Sequence, residues 1–504
     1  MSTATAAAND APASAGGTSY GSPGYRLYVL LVLTAVYTLN FIDRNLVNVI
    51  AQPIIAEFGL SDSEYGFLNG PPFAIFYAVM GIPIALAADR YNRVIIVALC
   101  ISIWSIMAAM CGLATSFLFL LVARIGVAIG EAGGTPPSNS IIGDYFKPRS
   151  RANALAIFAM GVTIGSALSN YFGGPIARNL NGVALEKMFT EWGWTWAVNM
   201  ADWQNVEGWR VAFVVIGAPG VLIALLLLFT VKEPPRGFSD PPGTKRGERA
   251  SMIDTLKELG PKPTFWTMAM GASLVALVGY GLVAFQAPMA QRLHGIDPGT
   301  FAIQFGGPLA IFSAFGTFTG GFLIDRFSHR VPQAVSLVPV VGMLLAIPLY
   351  IFAYYQPTDQ FYSVARPAWC IGAFCHYMYL GSQYTIGQGV VSARGRASAV
   401  AILLLLIALI GNGIGPLLTG ALSDMFMGLE LKDAGLGGLL TPDLCRNATL
   451  LANLPADQQA ICGAAYGNGL RSSMVATALI FIPAAAFFFL SSLTLKKDMI
   501  AQTH

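Results

Sequence analysis

Charge is what this chain has least of. Only 11% of its 504 residues are Asp, Glu, Lys or Arg, against about 25% in an ordinary water-soluble domain. A chain this poor in charge is not solvated mainly by water. Cysteine and histidine are scarce too, at six and four residues, and no cluster of them has metal-ligand spacing. That argues against a disulfide-dense scaffold and a zinc centre, and no cofactor is expected. P-loop, HExxH and GxSxG patterns are missing, so neither nucleotide-driven work nor the common hydrolase chemistries are expected, and the protein does not read as an enzyme. No basic stretch is interleaved with aromatics, which leaves no footprint for nucleic acid. The first 24 residues are Ala, Ser, Gly and Pro without a charged segment before an apolar core. They read as a disordered cytoplasmic tail and not as a signal peptide.

Apolar residues are abundant, at 55%, with a mean hydropathy of +0.62. Stretches of about 20 apolar residues recur, each long enough to cross a bilayer. Alternating strand patterns are missing, and backbone groups in lipid must be bonded internally, so the class is an all-α membrane protein. Twelve spans are expected, starting near Tyr25, Ser63, Arg93, Phe117, Arg149, Trp209, Phe265, Thr300, Arg330, Tyr362, Arg396 and Arg471. They divide six and six around a Pro- and charge-rich linker at 232–262, giving bundles at 25–231 and 263–495 and a second tail at 496–504. Basic residues crowd the loops on the side of both termini: Arg90 and Arg93, Lys147, Arg149 and Arg151, the linker, Arg326 and Arg330, Arg394 and Arg396. The excess predicts that both termini are cytoplasmic, in a multi-pass protein of the cell inner membrane.

Two long loops fall on the opposite side. Residues 179–208 hold Trp192, Trp194, Trp196 and Trp203, rings suited to the headgroup level, as an interfacial hairpin or as a lid. Residues 426–470 hold Cys445 and Cys462, a plausible structural disulfide on the oxidising side of a membrane.

The few charges inside spans stand out. Residues 121–134 read LVARIGVAIGEAGG, placing Arg124 and Glu131 on one helix face roughly 10 Å apart along the axis. Span 1 adds Asp43 and Arg44. A charge at the bilayer centre costs at least about 2.5–3.5 kcal/mol, so such residues normally face a bundle interior or a wet cavity. The duller alternative is an ion pair that only locks helices. Deep in the second six spans there is no such charge; Tyr280, Gln286, His376, Tyr377, Tyr379 and Gln383 supply polar and aromatic groups instead. Ordinary packing is the competing reading for each.

The chain also repeats itself. Span 2 ends in ALAADRYNR and span 8 in GFLIDRFSHR, which makes Asp89-Arg90 and Asp325-Arg326 equivalent positions, one per half. An Asp there can face a helix terminus or a basic partner across the seam between halves in one conformation and lose it in another. On these residues the chain resembles the major facilitator superfamily, whose G-x-L-x-D-R-x-G-R/K motif follows spans 2 and 8. Gly321, Leu323, Asp325 and Arg326 fit that motif well; the first copy, with Asp89, Arg90 and Arg93, departs from it at Ala85, Ala87 and Asn92. Within the superfamily the first half is similar to the Spinster branch. The matching residues are Asn40–Arg44, Asp89–Arg93, Trp104-Ser105, Arg124 with Gly130-Glu131-Ala132, Asp144-Tyr145-Phe146, Arg149-Ser150-Arg151, and Trp209-Arg210 through Glu233-Pro234-Pro235-Arg236-Gly237.

That resemblance implies two pseudo-symmetric six-helix bundles and transport of amphipathic lipids such as lysophospholipids or sphingoid phosphates, proton-linked or facilitative. It implies the same proton-coupling roles at Asp43, Arg124 and Glu131. The residues themselves suggest why. Burial favours a protonated carboxyl and a guanidinium favours the ionised form, so a carboxylate held between the two can release a proton when its partner moves. The expectation is that Asp43 binds the proton with Arg124 as its alternating partner, and that Glu131 titrates second or gates substrate. Arg124 and Arg44 are the candidates for an anionic headgroup, with Arg44 alternatively anchoring a helix. Tyr280, Gln286, His376 and Tyr379 are the expected second-half lining. The partners are then a small amphipathic or anionic substrate, protons and membrane lipid, and the protein is expected to be a monomer. The rival is a proton-coupled symporter of a small organic anion, which a compact polar cavity would favour over a long, laterally open one.

Overall fold

The computed structural model describes residues 20–239, 252–392, 394–437 and 439–500. Among them there is no strand; every regular element is helical. Eleven helices are long and apolar enough to cross a membrane. Span 1 is Pro23–Val49, span 2 Asp62–Arg90, span 3 Arg93–Gly112, span 4 Phe117–Tyr145, span 5 Arg149–Asn179 and span 6 Gly208–Thr230. Span 7 is Pro263–His294, span 8 Pro298–Ser328, span 9 Ala334–Tyr354, span 11 Ser398–Asp433 and span 12 Ala456–Asp498. The twelfth, span 10, is interrupted. It runs through Phe361–Ala365, Arg366–His376, a tight turn at Tyr377–Tyr379 and Leu380–Gly389. Span 12 begins about four turns before its expected start near Arg471, because that arginine lies within the helix, over the Tyr355 ring.

Several helix starts are fixed by side-chain caps: Ser22 accepts from the Tyr25 amide, Asn92 from Ile95, Ser116 from Phe119 and Asp297 from Thr300. Each satisfies an otherwise orphaned N–H at a membrane-proximal end. Odd spans run away from the face that holds both chain ends, here called the terminal face, toward the far face.

The two halves meet closely at the far face. A Cβ added to Gly66 of span 2 would stand 2.3 Å from the Pro416 carbonyl oxygen of span 11, and one on Gly70 2.6 Å from that of Gly413. Spans 5 and 8 touch at the same level, where a Cβ on Gly174 would lie 2.8 Å from the Gly299 Cα. Toward the terminal face, Leu86, Met160 and Phe318 are exposed. The closest main-chain approaches between the halves therefore lie at the far face.

The expected linker divides in two. Residues 232–239 fold back on the first half, whereas the helix Met252–Leu259 meets the second, where Glu258 accepts from the Ser392 amide at 2.7 Å. Residues 240–251 lie outside the described residues, as do 1–19 and 501–504 of the expected tails; span 1 already starts at Pro23 and span 12 runs to Asp498. In the far loop of the first half, Trp192, Trp194 and Trp196 are exposed, while Trp203 is buried and donates to the Ala197 carbonyl at 3.0 Å. In the other far loop Cys445 and Cys462 are joined, within a small apolar core of their own.

Candidate functional site

The charges of spans 1 and 4 come together in the first half. Arg44 donates to one Glu131 oxygen from Nε at 3.0 Å and from Nη2 at 2.5 Å. Its guanidinium carbon also lies 5.1 Å from each of the Phe41, Phe73 and Tyr77 rings, a favourable seat for a cation in a dry site. The Glu131 side chain is fully buried; that of Arg44 is 20% exposed. Glycine makes the arrangement possible. A Cβ on Gly130 would sit 2.6 Å from the Trp104 amide nitrogen, so only a bare backbone lets span 4 press against span 3.

Asp43 and Arg124 lie deeper, both nearly inaccessible. Asp43 has Glu131, Arg124 and the Trp104 indole as its electrostatic neighbours. Yet Asp43 Oδ1, Arg124 Nε, the other Glu131 oxygen and Trp104 Nε1 make no hydrogen bond among the described residues. Arg124 instead lies over the Phe73 ring at 5.2 Å. Asp43 and Arg124 are electrostatic neighbours, and among the described residues the bonded pair is Arg44–Glu131. Asp43 and Arg44 are adjacent, so they point about 100° apart on span 1. Among the described residues Arg44 donates to no backbone carbonyl.

A cavity of about 280 Å³ lies at the seam between the halves. Asn45, Ser166 and Asn170 line it from the first half, Gln286, His376 and Tyr377 from the second. Asn45 donates to Ser166 at 3.1 Å, and His376 Nδ1 is 3.2 Å from the Tyr350 hydroxyl. Of the expected second-half residues, Gln286 and His376 line this space. Tyr280 does not; it is partly exposed on span 7, within electrostatic reach of Arg44. Tyr379 is buried among Tyr377, Tyr280 and Tyr384.

The two motif copies behave differently. Asp89, Arg90, Asp325 and Arg326 are all exposed at the terminal face, and among the described residues none makes an ion pair. Gly321 faces open space. Arg93, by contrast, is enclosed. It donates to Asp144 at 2.5 Å, Glu233 at 2.6 Å, Ser140 at 2.8 Å and the Pro234 carbonyl at 2.9 Å. Glu233 in turn accepts from the Arg93 amide at 3.0 Å, and Arg236 donates to the Ala88 and Tyr91 carbonyls at 2.8 Å. The E-P-P-R-G stretch therefore clamps the terminal ends of spans 2, 3 and 4.

At the far face is a group that the sequence reading did not single out. Arg292 of span 7 donates to both oxygens of Asp62 of span 2 at 2.7 Å, and Ser423 of span 11 donates to Asp62 at 2.6 Å. Gln52 accepts from Arg292 at 2.9 Å. Asp62 opens a Ser61–Glu64 capping box, a pattern that reads as an ordinary solvated helix start. Nothing local distinguishes it from a surface cap.

Comparison with known proteins fits this geometry. The Major Facilitator Superfamily profile matches residues 33–416. An MFS-type efflux pump of Mycolicibacterium smegmatis is 31% identical over 78% of this chain and 83% of its own length. Protein spinster homolog 1 of Xenopus tropicalis is 26% identical over 79% of this chain and 72% of that one. A crystal structure of a bacterial homologue of the human lysosomal transporter Spinster, inward-facing and unoccupied, is 51% identical, covers 96% of this chain and 100% of that one, and superposes with a TM-score of 0.89. A D-xylose–proton symporter, 17% identical with a TM-score of 0.61, shares the fold. This multi-pass membrane protein, built as a transporter, belongs to the Spinster branch of the major facilitator superfamily.

Proposed function

We propose that the protein is a secondary active transporter that moves an amphipathic anionic lipid, such as a lysophospholipid or sphingoid phosphate, by alternating access coupled to protons. It works as a monomer in the cell inner membrane, with both termini cytoplasmic, so the open terminal face is the inner side. The observation that carries the reading is the Arg44–Glu131 pair, with its carboxylate fully buried and its guanidinium partly accessible, one residue before Asn45 of the cavity lining. A planar guanidinium offers two parallel donors to a phosphate. A headgroup that takes Arg44 leaves Glu131 without its partner in a dry site, free to accept a proton. That exchange links substrate and proton occupancy thermodynamically. Asp43 and Arg124 then form the deeper proton store, exchanging partners as span 4 moves against span 1. Asp89-Arg90 and Asp325-Arg326, solvated while the inner side is open, close that side in the opposite state.

The amphipathic character of the substrate is supported by the seam itself. Spans 5 and 8 touch at the far face and expose apolar side chains below, including Ile157, Met160, Phe315 and Phe318, so the cavity is flanked by surface that a lipid chain can follow. The compact, partly polar lining favours a second reading, a small organic anion held among Asn45, Asn170 and Gln286.

Purified protein in liposomes, with and without a pH gradient, separates the two. The expected result is gradient-dependent movement of lysophospholipid that Glu131→Gln abolishes. Movement of short organic acids alone selects the second reading, and transport indifferent to the gradient removes the proton.

A further inference from the structure

The far-face contact between halves has two arms, and both end on the same covalent tie. In the first arm Asp62 receives Arg292, and the guanidinium carbon of Arg292 lies 3.6 Å from the centre of the Tyr466 ring on span 12. In the second, Asp424 of span 11 accepts from the backbone amide and hydroxyl of Ser63 and from the Asp62 amide, and Arg446 donates to it at 2.9 Å. Arg446 follows Cys445 directly. Tyr466 lies four residues, about one helical turn, after Cys462 on span 12. The Cys445–Cys462 disulfide therefore joins the residue behind one arm to the residue behind the other.

Arg446 is an unusual residue for a surface loop. Its side chain is only 6% exposed, and it spans from Asp424 to Asp443 at 2.9 Å each. Asp424 takes three donors from the first turn of span 2, so a cation behind it keeps the carboxylate aimed at that turn. Among the described residues, the hydrogen-bonded route from the short loop helix Pro442–Arg446 to the first half passes through Arg446 and Asp424.

We propose that Arg446, held in place by the Cys445–Cys462 bond, is a positioning residue of the far-face latch, setting how firmly the far face stays shut while the terminal face is open. This rests on the alternating-access reading above. The disulfide then does more than stabilise a loop: it makes the two arms release together. An oxidising compartment outside the far face is where such a bond persists.

The test uses the full-length protein in lipid nanodiscs with spin labels at Thr115→Cys and Asp359→Cys, exposed positions at the far ends of the two halves; the four unbonded native cysteines are buried. Arg446→Gln is expected to raise the far-face-open fraction about tenfold, the scale of a hydrogen-bonded charge lost. Cys445→Ser with Cys462→Ser is expected to do nearly the same, and combining the two to add little, because they remove one device. Asp62→Asn is the reference, since it breaks the first arm outright. Arg446→Lys, which keeps the charge and loses the two-pronged geometry, falls between and guards against a misfolded Gln variant. A far-face distance unchanged in Arg446→Gln while Asp62→Asn opens it overturns the latch and leaves alternating access standing. A distance unchanged in both overturns the latch and the alternating-access reading together. Full additivity of Arg446→Gln with the cysteine pair overturns the shared device.

Discussion

The two halves of this molecule share a fold and differ in what they bury. The first half places Asp43, Arg44, Arg124 and Glu131 inside its bundle and locks Arg93 into a cage at its terminal face. Deep in its spans the second half buries polar groups without formal charge, His376, Gln383, Ser382 and Thr419 among them, keeps buried charges such as Arg292 and Asp498 at span ends, and leaves His329, at the position matching Arg93, in solvent. Duplication thus preserved the scaffold while the chemistry separated. Under the proposed function, proton work falls to the charges deep in the first half and shape recognition to the second, with the cavity on the seam touching both. Such a division lets the charge network move without remaking the whole binding surface.

Removing charges one at a time is the direct way to break this comparison. The largest effect is expected for Arg93→Ala, which leaves Asp144 and Glu233 facing each other without their cation. Stripping one partner from a buried pair costs about 3–5 kcal/mol, and thermal melting of the purified variant should show it; His329→Ala, the exposed matching position in the second half, should leave the melt unchanged. Next is Glu131→Gln, which removes the carboxylate but keeps a carbonyl oxygen for Arg44. Gradient-driven transport should fall at least about tenfold while the melting temperature drops by less than in Arg93→Ala. A smaller effect is expected for His376→Gln in the second half, a change of a few-fold in substrate affinity with the pH dependence of transport intact. If that variant altered the pH dependence instead, the division of labour between halves would be wrong.

The smallest effect concerns Asp297, at the far-face start of span 8. Partial burial opposes its ionisation, but the Thr300 backbone and hydroxyl groups and Arg178 outweigh that and hold its carboxyl below the ordinary carboxylate value. A carboxyl depressed in the folded state adds stability that is present above its unfolded value and lost as pH falls through the folded one. Asp297→Ala should therefore cost about 1 kcal/mol, the usual worth of a helix cap, at neutral pH and nothing in strong acid. Melting curves across that range give the answer.

Much of the plan was legible because lipid writes strongly on sequence. Long apolar runs, basic loops on one side and repeated Asp-Arg pairs follow from bilayer thickness and duplication, and the cysteines of one far loop invited pairing. What stayed hidden depends on azimuth and on distant neighbours. Arg44 and Arg124 could each meet Glu131, yet only the packed bundle tells which of them does. Glu233 reads as part of a charged linker until the chain is seen to fold back on Arg93. Asp62 and Arg292 are 230 residues apart and each looks like an ordinary loop charge. Span 10 is less visible than its neighbours because its helix breaks at Tyr377–Tyr379.

Where Gly66 and Gly70 meet Pro416 and Gly413, main chain rests on main chain with no side chain between. A joint of that kind has no give: a single methyl introduced there acts as a doorstop. One carbon atom at position 66 would hold the far-face door ajar without touching any charge or any residue of the cavity lining, and so offers a purely mechanical handle for trapping the opposite-facing protein.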